Sequence, residues 1–175
     1  MQVHKLFSLS LYRTFLNPRF ADNQDALKLE LLSQFDVIRE NKSYNQSPNS
    51  QPTGVKLNTV IYKNNSEQRK DYTRQSDSVG CFVTKIGGSP YDLTIYNPIG
   101  SIEAGLMPNN RLKYESVQDM YRTGTDLTCE SVTFKLSLGD FFLWDSSVEY
   151  SITPRDDTSH VEMIMAKFYT NTHGM

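Results

Sequence analysis

Cysteine and surplus charge are both scarce in this chain of 175 residues. Two cysteines, Cys81 and Cys129, are too few and too far apart for a disulfide framework or a zinc site. Both sit in strand-like sequence, where a free thiol behaves as a small buried hydrophobe, and a reducing compartment is expected. Lysine and arginine total 18 against 20 aspartates and glutamates, a formal net charge of −2. A chain devoted to nucleic acid is usually basic, so sequence-specific nucleic-acid binding is not expected.

Long hydrophobic runs are also missing. No stretch approaches the ~18 apolar residues of a membrane-spanning helix. The apolar segment from Leu6 to Tyr12 has neither a basic leader nor a small-residue cleavage site, and Arg13 and Pro18 follow it, so a signal peptide is not expected. Asn-x-Ser triplets at Asn41, Asn45 and Asn64 then read as products of polar loops, not glycosylation sites.

Catalytic signatures are absent in the same way. Gly87, Gly88 and Gly100 lack the Lys-Ser/Thr of a phosphate loop. Asp156, Asp157, Ser159 and His160 crowd into "PRDDTSH", but triad members are normally brought together by folding, and this composition is that of a turn. Asp140 and Asp145 resemble ordinary turn carboxylates. His4 and His173 lie far apart near the two ends, without ligand spacing. The expectation is a chain that is not an enzyme and takes no cofactor.

What is abundant points to sheet. Ten Tyr and nine Phe suit pleated surfaces. Val3 to Tyr12 alternates with period two and predicts a strand ended by Asn17-Pro18. The period then changes: Leu27, Leu31, Phe35 and Ile38 recur at helical spacing in "NQDALKLELLSQFDVIRE". Asp22 or Asn23 can cap this helix, and Asp25 suits its positive end. Its apolar stripe must lie on a sheet, because an isolated helix of this length is marginal in water.

Further strands are predicted over 55–62, 79–86, 91–96, 132–138, 141–144, 148–153 and 161–168, with a short one near 111–117 and helical turns near 117–124. Phe141 to Trp144 is continuously apolar, as a strand covered on both faces requires. About eight strands and one main helix, without a βαβ rhythm, predict an α+β, β-rich, mainly antiparallel fold in a single domain spanning 1–175.

Two segments stay polar. "ENKSYNQSPNSQPTG" (40–54) and "KNNSEQRKDYTRQSDS" (63–78) bury too little to offset their ordering entropy, and are expected to be mobile or ordered by a partner. Lys63, Arg69, Lys70 and Arg74, with Tyr72, form the best candidate contact for phosphates or anionic headgroups, although Glu67, Asp71 and Asp77 blunt the local field. Tyr44, Pro48 and Pro52 are candidates for ordering on a neighbouring copy. Met163 and Met165 read either as an adaptable apolar edge for self-association or as core.

The order of parts, "HKLFSLSLYRTFLNPRF", an Ala/Leu helix, a polar loop and a strand-rich remainder, resembles the rhabdovirus matrix proteins, in length the short ones of cytorhabdoviruses. The likeness covers mainly Lys5 to Arg39. A Lys-rich N-terminal arm and a Pro-Pro-x-Tyr motif are not present. The resemblance implies a virion protein of the host cytoplasm that self-associates into an oligomer or lattice and bridges nucleoprotein to an anionic membrane. Two alternatives stand beside it. "YDLTIYNPIGSIEAG" resembles a strand-turn of bacteriophage hub proteins, which implies a tail or baseplate subunit. Tyr side chains and Trp144 can also line the pocket of a ligand-binding β-domain.

Overall fold

The computed structural model of the protein describes residues 2–6, 9–40, 52–63, 68–69, 78–96, 112–114, 129–146 and 148–169. Among the described residues eleven strands are present: β1 (Gln2–Leu6), β2 (Leu9–Phe15), β3 (Gly54–Lys63), β4 (Gln68–Arg69), β5 (Ser78–Gly87), β6 (Tyr91–Tyr96), β7 (Leu112–Tyr114), β8 (Cys129–Lys135), β9 (Asp140–Asp145), β10 (Tyr150–Pro154) and β11 (His160–Tyr169). A 3-10 turn at Pro18–Asp22 leads into the helix α1 (Gln24–Glu40).

The expected β-rich, mainly antiparallel fold with one main helix near the N-terminus is what the chain adopts. Three strands exceed the expected count. The Val3–Tyr12 pattern is a hairpin, closed by the Leu6↔Leu9 pair, so the even-numbered residues of β1 share a face with the odd-numbered residues of β2 and the single run of alternation is broken. The polar segment 63–78 contributes the two-residue β4, and β7 lies parallel to β8, the exception to antiparallel pairing among the described residues. The helical turns expected near 117–124 lie outside the described residues.

The strands form two sheets, β1-β2-β9-β5-β11-β3 and β4-β10-β6-β8-β7. Counting β3, β4, β5, β6, β8, β9, β10 and β11 as one to eight, their order is 1-8-3-6 in one sheet and 2-7-4-5 in the other. This is a double-sheet jelly roll.

Alternation along each strand builds two cores. Val161, Met163 and Met165 of β11 face the space between the sheets, with Cys81, Phe142 and Trp144 from neighbouring strands and Tyr91, Leu93 and Ile152 from the facing sheet. Ile164, Ala166 and Phe168 face the other way, with Phe82 and Phe141, and receive Leu27, Leu31 and Phe35 of α1. The rings of Phe35 and Phe168 meet at 4.9 Å. Each such side chain, fully buried, contributes roughly 1.5–3 kcal/mol. The helix begins where Asn23 Oδ1 accepts from the amides of Asp25 and Ala26, both at 3.1 Å, which satisfies two donors that the first turn leaves open.

One irregularity escapes period-two reasoning. The β5–β11 register steps from Glu162↔Lys85 to Met163↔Val83, leaving Thr84 as the extra residue of a bulge, its hydroxyl donating to the Glu162 carbonyl at 3.1 Å. The bulge lets both Val83 and Ile86 reach the inner core.

Candidate functional site

The strand β3 ends the larger sheet. It pairs with β11 along all ten residues, from Gly54↔Tyr169 to Lys63↔His160, and no described residue pairs with its other side. At one end of the other sheet lies β4, for which two residues are described. Lys56, Asn58 and Thr59 are exposed, and Ile61 is 54% exposed despite being a large apolar side chain. Leu57 and Val60 are half-buried between them. A long edge strand with apolar residues in view is a template for pairing with another chain, which natural sheets usually guard with charge, proline or a bulge. Lys56 is the one charged side chain described on this edge.

The expected contact residues distribute around this edge without converging. Lys63 closes β3 opposite His160, and Arg69 pairs with Ser151 in β4. Lys70, Tyr72, Arg74, Tyr44 and Pro48 lie outside the described residues. Pro52 is buried immediately before β3. Met163 and Met165 are core, at 0% and 7% exposure, so the surface half of their reading is set aside: β11 is flanked on both sides, by β5 and β3, and its odd-numbered residues point between the sheets. Met163 Sδ lies 3.4 Å from Cys81 Sγ. The edge was detectable only in part from sequence, since Ile61 looked like any apolar position of a strand.

Between the sheets lies a cluster of polar-tipped aromatics. Tyr62 and Tyr91 rings are 5.8 Å apart, and Trp144 meets Tyr150 edge-on at 4.9 Å. Burial, then the neighbouring Cys81 and Tyr91, pushes the Tyr62 hydroxyl up to about 12. Burial and Asp140 push the Cys81 thiol up to about 12, and burial likewise raises Tyr150. These groups stay protonated at neutral pH, so Cys81 is no thiolate nucleophile there. Trp144 Nε1 is a buried donor with no hydrogen-bond partner among the described residues.

The crowded "PRDDTSH" stretch is a turn that staples two loops. Asp156 accepts from the Ser89 hydroxyl and from the Thr158 hydroxyl and amide, and these bonds hold its carboxyl below the ordinary range. The Ser159 hydroxyl accepts from the amides of Arg155 and Asp156, both at 3.1 Å, while His160 Nε2 meets Glu162 Oε1 at 3.2 Å. Serine and histidine thus engage different partners, and no triad forms. Arg155 also reaches Asp92 on β6 at 2.8 Å. Among the described residues no group of three or more His, Cys, Asp or Glu is placed to hold a metal ion, and no helix is long and apolar enough to cross a membrane.

No family model matches the chain, and no curated protein matches it in sequence. Among solved structures it is similar to the crystal structure of a Pseudomonas putida prolyl-4-hydroxylase, at 11% identity and a TM-score of 0.48, covering 93% of this chain and 73% of that one. The expectation that the chain is not an enzyme is corrected by this finding, since the similar structure is that of an enzyme. At this level of likeness, its activity is not carried over to this chain.

Proposed function

We propose that this chain is a structural protein of a virus particle, working through association between copies and bridging nucleoprotein to an anionic membrane. A jelly roll hosts many activities, viral capsid domains and lectins among them, so the fold alone does not select this reading. The observation that carries it is β3, a ten-residue strand that among the described residues is bonded on one side and exposes Ile61. The bridging role falls to Lys63, Arg69, Lys70, Arg74 and Tyr72. Sedimentation across a wide concentration range, with and without phosphatidylserine vesicles, tests both parts. Oligomers that grow with concentration and pellet with vesicles support the reading, and a strictly monomeric protein that ignores vesicles ends it. Replacing Arg69, Lys70 and Arg74 together with Ser is expected to weaken vesicle binding at low salt while leaving self-association intact.

A second reading, a ligand-binding β-domain, is favoured by the Trp144 indole N–H, which has no partner among the described residues, because a buried donor without one costs about 1–3 kcal/mol. A ligand that presents an acceptor there would offset that cost. Trp144 is the only tryptophan, so its emission reports binding directly. A small-molecule panel that moves neither the emission nor the melting temperature removes this reading.

A further inference from the structure

We propose that two copies of the chain pair through β3 in antiparallel orientation, across a twofold axis at Thr59, so that their larger sheets join into one. This rests on the self-association reading and names the surface and the partner.

A twofold that pairs two edge strands side by side runs perpendicular to the sheet, keeps each face on its own side, and places residues of equal parity opposite one another. On the face of β3 that carries Leu57, Thr59 and Ile61, the pattern is apolar, Thr, apolar in either direction. With the axis at Thr59, Leu57 of one copy lies opposite Ile61 of the other, twice, and Thr59 lies opposite Thr59. The exposed Ile61 is covered by an apolar neighbour, and a Thr–Thr pair is among the favourable cross-strand combinations. On the other face Asn58 lies opposite Val60, and Lys56 opposite the aromatic Tyr62, so the two Lys56 cations are not opposed. The edge is therefore complementary to itself in backbone hydrogen bonding, in apolar pattern and in charge placement. Main-chain bonds supply the attraction and the side-chain palindrome sets the register, as in other strand-addition interfaces.

Two variants test the proposal in the full-length chain. Thr59→Cys places one thiol beside its symmetry mate, and mild oxidation is expected to give a covalent dimer. The natural chain under the same oxidation controls for Cys81 and Cys129, and Lys56→Cys, which faces Tyr62, is expected to cross-link far more slowly. Ile61→Lys puts a charge on an exposed edge position without entering a core, and is expected to weaken the dimer by at least ~10-fold in sedimentation while the melting temperature of the monomer stays close to that of the natural chain. An oligomer that survives Ile61→Lys undiminished, with no cross-link through Thr59→Cys, overturns this interface and leaves the self-association reading standing. A natural chain that stays monomeric at every concentration overturns both.

Discussion

The guanidinium of Arg13 on β2 grips the carboxylate of Asp140 at the start of β9 through three contacts of 2.9, 3.1 and 3.2 Å. The same guanidinium sits 5.1 Å over the Phe142 ring, and Asp140 also accepts the Ser137 amide at 2.8 Å. One nearly buried carboxylate thus ties the N-terminal hairpin to the jelly roll and closes the turn before β9. Removing it strands a cation and an amide. Asp140→Ala is expected to lower the unfolding free energy by about 2–4 kcal/mol, read by urea denaturation. A loss no larger than that of an exposed pair such as Lys85–Glu162 would show that the contact is incidental.

Leu31 is fully buried between α1 and the larger sheet. Leu31→Ala is expected to cost about 2–5 kcal/mol through lost contact and residual cavity. Leu31→Asp places an unpaired charge in the same site and is expected to abolish the cooperative melt, checked by calorimetry.

Gly139 occupies the left-handed region at φ 85, and a methyl group there would run into the Phe15 ring and the Leu16 carbonyl. Its own carbonyl accepts from the Leu16 amide and its amide donates to Val83, so the position is held from two sides. Gly139→Ala is expected to cost about 1–3 kcal/mol, measured by thermal unfolding, whereas Ser137→Ala, at an exposed neighbour, is expected to cost less.

Glu162 is held below the ordinary carboxylate range by hydrogen bonds from His160 and then Lys85. Its folded pKa lies below the unfolded one, so the interaction adds stability above the unfolded value and loses it as pH falls through the folded value. Between about pH 7 and about pH 3, Glu162→Gln is expected to lose less melting temperature than the natural chain. Equal losses in the two proteins would assign the acid sensitivity elsewhere, Asp156 being the next carboxylate held low.

Much of the local structure was readable before folding is considered. The Asn23 cap, the Leu27-Leu31-Phe35 stripe and the alternation of Val161, Met163 and Met165 each depend on neighbours within a few residues, which spacing encodes directly. The Thr84 bulge and the two-residue β4 were not readable, because each is set by a partner strand far along the chain, and the reversal between Leu6 and Leu9 was not, because apolar alternation does not mark where a strand turns back. The candidate edge belongs to this second group. Ile61 and Val161 look alike as apolar strand residues, yet one is exposed and the other fully buried.

Linear patterning thus settled that strands and one capped helix form, and which residues share a face within each unbroken stretch, since a period of two or 3.6 is a property of the backbone alone. It left open which strand lies beside which, and so which strand is left at the rim. That depends on hydrogen bonds between residues such as Met163 and Val60, about a hundred positions apart, and those bonds exist only after the two sheets have closed over their common core.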